Sequence, residues 1–543
     1  MSLQRSKDKD YKPLSASSKS AGGAGAQSPL KPRGAGSEAT AAEPQNLINL
    51  SYSYGESRDE TAATHVSRAS SDLNEAPQVP EDEAGAVGPD ATVISVEMPT
   101  AAKPSQKIAR KAKQEEKDNK LLGNDRWLVR NGHVFTFIGL YLFSIMVLFR
   151  PYEIVPGMAF LTGTAFYFAI ATLAIYLPSQ LAAEGNLTIF PTEVKAILAM
   201  TLIALFTIPI AKDPGLAWET FDDSFSKAVV IFVVMVNVVR TRSRLMNMMW
   251  LSFGIGIYLS IAALNMYMKG QFNVEEYRIA VDVGGMFGNP NEMAMHLVMM
   301  TPIAIALGIA ARGAIWRGIY FVMAALFVAA NMVTFSRGGF LGLIACLLVL
   351  AWKVGRKYRL KVAIASIFAG AIAMVAAPGN YGLRMLSIFI PGLDAVGSSD
   401  QRQELLIRSL LVSARNPWGI GIGNFPIVGV RNLQSHNAFT QVSAELGILG
   451  LIAYLVFMIS PFRKLGAIER KLFASDDHSW YYYLSIGLQA SIVGYLVSSF
   501  FASVAYNWFI YYLIAYAVAF RRIYRVETES KENVKADLTP EPA

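Results

Sequence analysis

The chain has 543 residues, 53% of them hydrophobic, with a formal net charge of +8 and one cysteine. The single Cys346 excludes an intramolecular disulfide and a cysteine-built zinc cluster. Nucleic acid is not an expected partner despite the basic balance, because most Lys and Arg residues cluster beside the ends of apolar runs, where they act as topology signals.

In chain order, residues 1–125 come first, rich in Ala, Ser, Gly, Pro and charge. Such composition buries too little apolar surface to offset ordering entropy, so a disordered cytoplasmic tail is expected. Its end is basic: Lys103, Lys107, Arg110, Lys111, Lys113, Lys117 and Lys120 stand before the first span, in reach of lipid headgroups. The first apolar run begins only near Val134, so no N-terminal signal peptide is expected.

From there apolar runs dominate, and a hydrocarbon core roughly 30 Å thick needs about 20 such residues per helix. The expected fold is an all-α polytopic membrane domain over 126–525, with about twelve transmembrane helices and a disordered cytoplasmic tail at 526–543. Span starts are expected near 133, 157, 192, 226, 245, 292, 317, 338, 361, 446, 481 and 503. Basic connections at Arg240–Arg244, Arg312–Arg317, Lys353–Lys361 and Arg463–Lys471, with Arg521 and Arg522, then fall on one side, the cytoplasm, as do both termini. The outward side carries an acidic loop at 212–225 and a long loop at 378–445. Loops of that length between spans are usually functional. A surface helix is expected over Gln403–Ala414, with Leu405, Leu406, Leu410 and Leu411 on one flank and Asn416-Pro417 as its stop. Gly419, Gly421 and Gly423 then read as a flexible turn.

The candidate chemistry sits on the outward side. His436, in Ser435-His436-Asn437, is the one histidine placed there beside polar partners, and imidazole trades protons near neutral pH. Glu445 is expected to open the following helix, either as a first-turn acid favoured by the helix dipole or as a carboxylate acting with His436. Arg337, in Thr334-Phe335-Ser336-Arg337-Gly338-Gly339, lies on the face that the positive-inside pattern disfavours, so an anionic partner is expected for it. Arg278 reads the same way; Asn289 or Asn291 caps the next span, with Glu292 in its first turn. Arg402 and Arg408 lie on the loop helix, with Arg415 past its end. Together these cations point to a polyanionic ligand. No metal-ligand cluster, P-loop, dinucleotide fingerprint or G-x-S-x-G motif stands in the sequence, and no cofactor is expected.

Three patches resemble the O-antigen ligase and O-antigen polymerase superfamily of bacterial envelope enzymes: Arg278 with Gly288-Asn289-Pro290-Asn291-Glu292-Met293-Ala294; Thr334 to Gly339; and Arg402 through Asn416-Pro417-Trp418-Gly419 to His436-Asn437 and Glu445-Leu446-Gly447. The resemblance covers roughly residues 130–525. It implies a GT-C-like, many-span glycosyltransferase of the bacterial inner membrane with its site on the periplasmic face. The implied donor is a glycan on undecaprenyl diphosphate, and the acceptor a glycan, lipid A-core or protein. The implied reaction inverts the anomeric centre without a metal. It assigns the essential histidine to His436 and the essential arginines to Arg278 and either Arg337 or Arg402. Asn289, Asn291 and Asn437 beside them are expected to shape the site. Polysaccharide export or chain-length proteins are possible partners for the N-terminal tail.

The rival reading is a multi-span transporter or flippase for a lipid-linked glycan or another anionic substrate. Transporters place polar sites near the midplane, and His296 is the residue that fits that role.

Overall fold

A computed structural model describes residues 127–537, apart from 156, 276, 284–285, 357–359, 361–363, 365–380 and 387–397. Among the described residues all regular structure is helical; two isolated bridges, Val274 with Arg278 and Val283 with Met286, are the only strand-like pairings. The expected N-terminal tail and the span expected near 361 lie outside the described residues.

The apolar runs fold as helices α1 (Trp127–Leu148), α2 (Thr164–Glu184), α3 (Thr192–Thr207), α4 (Lys227–Val238), α5 (Arg242–Met268), α6 (Pro290–Ala310), α7 (Ala314–Val333) and α8 (Arg337–Val354). After these come α9 (Ser398–Arg415), α10 (Ala438–Glu445), α11 (Gly447–Ala474), α12 (Trp480–Ser499) and α13 (Trp508–Asp537). Seven described helices are long and apolar enough to cross a membrane: His133–Ile154, α2, α5, α6, α7, α8 and α11. The C-terminal helix runs to Asp537, past residue 525, where the sequence ends the membrane domain.

The core is built around α6, which packs against α7, α8 and α12. Most of its side chains from Met293 to Gly308 are buried. A helix inside a bundle is apolar all round, whereas α2 and α7 turn Phe166, Tyr167, Trp316 and Val322 outward, as lipid-facing helices do. Pro302 interrupts α6 and removes the N–H that ordinarily bonds Val298 O. In an apolar interior the freed carbonyl is approached by Cys346 Sγ at 3.9 Å, and Ser491 Oγ donates to the neighbouring carbonyl, Met299 O.

The bundle has two chemically different ends. At one, basic residues are bound to acids: the buried Glu193 to Arg521 and Lys464, the half-buried Glu184 to Arg240 and Arg522, and the buried Glu469 to Lys353 and Arg356. The sequence reads these Lys and Arg residues as loop charge; in the fold they also join helices. The other end carries Arg278, Arg337, Arg384, Arg402 and His436. Helix α8 runs from one end to the other, Arg337 to Lys353, about 24 Å at 1.5 Å per residue.

Candidate active site

The site end is assembled from four segments. The first is the connection between α5 and α6. Val274 and Arg278 exchange backbone hydrogen bonds (Val274 N to Arg278 O, 3.1 Å; Arg278 N to Val274 O, 2.9 Å), closing a tight turn with Glu275 and Tyr277 at its tip. Arg278 is buried beneath it. Its Nε donates to Thr334 O at 3.1 Å and its Nη2 to Asn291 Oδ1 at 2.9 Å, while Nη1 stands 3.5 Å from Glu275 Oε1. Burial, opposed by Glu275 and reinforced by Arg384, lowers the Arg278 guanidinium to about 10, so it stays charged at neutral pH.

The two asparagines divide the labour that the sequence leaves open. Asn289 is the N-cap of α6 and accepts from Asn291 N at 2.9 Å. Asn291 Oδ1 accepts from both Arg278 and Ser336 Oγ (2.8 Å), joining α6 to the start of α8.

Ser336 is in turn the N-cap of α8, accepting from Gly339 N at 3.1 Å. This puts the buried Arg337 at the first helical position. A cation there opposes the helix dipole and has left water, and both costs fall when an anion approaches.

The third segment is the short helix Tyr381–Leu386. Tyr381 is buried against Phe335 and Phe340, with ring centroids 5.6 and 5.9 Å apart, and this packing brings Arg384 to the site. Arg384 Nε donates to Phe335 O at 2.9 Å; its guanidinium lies 4.6 Å from the Tyr277 ring centroid, bonds the Tyr277 hydroxyl and stands 3.9 Å from Glu275. Sequence reasoning missed Arg384. Its available signal was the one used for Arg278 and Arg337: an arginine on the face topology disfavours.

The fourth segment carries Arg402 and His436. The surface helix is α9, longer than expected at both ends, with Arg415 as its last residue rather than beyond it. Its buried stripe is Leu405, Ser409 and Val412; Leu410 and Leu411, expected on the apolar flank, are exposed. Arg402 stands near enough to act electrostatically on His436, Glu275 and Arg278. Arg408 turns elsewhere, its Nε donating to Val428 O at 2.9 Å.

His436 is half-buried, at φ 51°, in the left-handed region that side chains rarely adopt. The strain is held from both sides. Ser435 is buried, sharing a 3.1 Å hydrogen bond with Ser503, and Asn437 caps α10 by accepting from Phe439 N and Thr440 N at 2.9 and 3.1 Å. Burial first, and then Arg402, hold the His436 imidazole below its usual range. It is therefore largely neutral at neutral pH, the form that accepts a proton.

Glu445 does not open the next helix. It closes α10; Leu446 separates it from α11, which begins at Gly447 with φ 72°. It lies about 10 Å along the two-turn α10 from its first residue, fully buried, with Oε1 accepting from Phe425 N at 3.2 Å. Burial lifts its carboxyl to about 7, against the Gly423 and Phe425 amides and the Tyr506 and Gln441 side chains. The first-turn dipole argument thus gives way to its opposite, since a helix C-terminus disfavours a carboxylate. The glycine segment is likewise no flexible turn. Gly419, Gly421 and Gly423, at φ 89°, 99° and 72°, form a strap: Ile420 N donates to Ala444 O and Gly421 N to Glu445 O, each at 3.0 Å. A Cβ at Gly419 meets Glu445 O at 2.3 Å.

His296, the residue the transporter reading needs, is fully buried in the core, its Nε2 3.2 Å from Ser252 O and its ring against Phe287. Among the described residues no group of three His, Cys, Asp or Glu side chains is placed to hold a metal ion.

Residues 319–455 match the family model described as O-antigen ligase. This match agrees with the resemblance of the chain's own patches to the O-antigen ligase and polymerase superfamily. The matched stretch holds Arg337, Arg384, Arg402, Arg408, His436 and Glu445; Arg278, Asn289 and Asn291 lie before it. No curated protein matches the chain.

Proposed function

We propose that this membrane protein transfers a glycan from an undecaprenyl-diphosphate carrier to an acceptor hydroxyl at the periplasmic face of the bacterial inner membrane. The observation that carries the reading is convergence: Arg278, Arg337, Arg384 and Arg402, from four separate segments, meet at the end of the bundle that also presents His436. Four guanidiniums at a membrane surface suit a diphosphate, which gains charge as the sugar leaves it. His436 takes the proton of the attacking hydroxyl, whose oxygen bonds to the anomeric carbon as the bond from that carbon to the diphosphate oxygen breaks. Attack opposite the leaving group inverts the anomeric centre. The arginines supply electrostatic stabilisation in place of a metal.

The remaining assignments support this core. Asn291 and Asn437 hold Arg278 and His436 in place, and Glu445 fixes the glycine strap beneath α10 instead of meeting substrate. In the proposed twelve-span topology, with both termini in the cytoplasm, the arginine end is outside and the Glu193 end inside.

The deciding experiment is structural analysis of surface polysaccharide in a deletion strain. Single-unit glycan on lipid A marks a polymerase, and accumulated carrier-linked polymer marks a ligase. An unchanged surface glycan, with carrier-linked glycan retained in the cytoplasmic leaflet, overturns the transferase reading in favour of a flippase.

A further inference from the structure

Arg278 uses two of its three donor sides on fixed neutral acceptors, Thr334 O and Asn291 Oδ1. The third side faces Glu275. That contact is loose: 3.5 Å from Arg278 and 3.9 Å from Arg384, while Tyr277 holds the same carboxylate through a 2.7 Å hydrogen bond. The layering is informative. The Arg278 side chain is 4% exposed and that of Glu275 is 42% exposed, so the carboxylate is the solvent-facing member of the pair. Glu275 is also at φ 50°, at the tip of the turn closed by Val274 and Arg278. Its ion pairs to the two arginines are long and partly exposed, so giving them up costs little, and the Tyr277 hydroxyl that holds the carboxylate sits on the same turn.

We infer that Glu275 is a resident anion on the phosphate-facing side of Arg278 and Arg384, displaced when the donor's diphosphate enters. The inference rests on the diphosphate reading of the site given above. In the empty protein, neighbouring guanidiniums repel one another, and a carboxylate among them relieves that repulsion. A diphosphate offers more charge and more acceptor oxygens than one carboxylate, and bidentate geometry suited to arginine. Glu275 then swings outward on its turn. Exchange of one anion for another keeps Arg278 charged and ordered throughout, and it makes a singly charged ligand a poor competitor for the site.

The test is a titration of the purified full-length protein in lipid nanodiscs with undecaprenyl diphosphate. Removing an internal competitor tightens binding, whereas removing a structural prop weakens it. Because an exposed ion pair is worth up to about 1 kcal/mol, Glu275→Gln and Glu275→Ala are expected to bind about two- to fivefold more tightly than the wild type. Glu275→Asp keeps the charge but withdraws it by one methylene, and falls between. In turnover, Glu275→Gln lowers KM without raising kcat. Arg278→Gln is the control. If it binds like the wild type, the diphosphate reading fails and this inference with it. If it loses binding while the Glu275 variants bind equally or more weakly than the wild type, the resident-anion inference alone fails.

Discussion

Asn291 Oδ1 accepts hydrogen bonds from Arg278 Nη2 and Ser336 Oγ at once, at 2.9 and 2.8 Å. One amide oxygen thus sets the position of a buried guanidinium and the entry of α8. Asn291→Ala strips a partner from a buried charge, which costs on the order of 1–3 kcal/mol, and glycan transfer is expected to fall with it. Asn289→Ala removes only a helix cap, about 1 kcal/mol, and should leave kcat/KM per folded molecule close to that of the wild type. Thermal unfolding and transfer assays on the purified pair check both.

The acid limb of the pH–rate profile reports His436. Its imidazole is depressed chiefly by burial and secondarily by Arg402, and in the proposed mechanism the neutral form is the base. Activity should therefore persist below the usual histidine range and fall as His436 protonates. Arg402→Gln removes a positive neighbour, raises the imidazole's proton affinity and moves the acid limb to higher pH. His436→Ala should abolish transfer while the protein still accumulates in the membrane. A limb that moves to lower pH in Arg402→Gln contradicts the assignment.

Arg384 and Arg408 make a contrast. Arg384 reaches Phe335, Tyr277 and Glu275, whereas Arg408 bonds Val428 on its own loop. With a charge-assisted hydrogen bond worth about 1.5–3 kcal/mol, Arg384→Gln should lower kcat/KM about tenfold to a hundredfold. Arg408→Gln should remain within about twofold of wild type, since exposed polar contacts contribute little. Steady-state kinetics on the two variants separates a site arginine from a structural one.

Glu445 predicts a pH dependence of stability. Its folded carboxyl is raised to about 7 by burial, above the unfolded value of about 4.3. Below the unfolded value both states are protonated and nothing changes. As pH rises through that window the unfolded state loses its proton first, so stability falls, and it levels off above the folded value. Glu445→Gln keeps an acceptor for Phe425 N and has no charge to desolvate. It should retain transfer activity and flatten this pH dependence, whereas Glu445→Ala loses the strap contact. Melting curves at pH 5, 6.5 and 8 read the difference; loss of transfer in a stable Glu445→Gln overturns the positioning role.

At the opposite end, Glu469 is fully buried and 2.9 Å from Lys353, with Arg356 beside it. Glu469→Ala leaves two cations without that acid, a change that costs about 3–5 kcal/mol in buried pairs. Accumulation in the membrane should drop, while transfer per folded molecule stays the same, because the site lies at the other end of α8.

Much of this was legible because charge in a membrane protein is informative by position. Arg278, Arg337 and Arg402 stand out in the sequence as cations on the disfavoured face, and the structure brings them to one end. Glu445 was misread because Leu446-Gly447 does not look like a break: whether a glycine continues a helix or turns it depends on its φ, set here by Pro417 and Trp418 packed against Gly447. Arg384 carries the same positional signal as Arg278, but what brings it to the site is the edge-on packing of Tyr381 against Phe335 and Phe340, which are distant in sequence. The buried glutamates at the far end were hidden for the same reason, since each is recognised only through partners on other helices.

The glycine strap has a consequence for how the protein is made. Ile420 O accepts from Lys212 N at 3.0 Å, Asn424 Oδ1 accepts from Asp213 N at 2.6 Å, and Gly421 and Gly423 leave no room for a Cβ beside Ala211 and Thr220. The strap that packs on the end of α10 is therefore held in part by a segment that leaves the ribosome some two hundred residues earlier. That early segment has to wait, already inserted, until α9 and α10 arrive to dock on it. Docking of the strap is thus a late event in biogenesis, and a nascent chain halted before His436 carries the arginines of an end that has not yet closed.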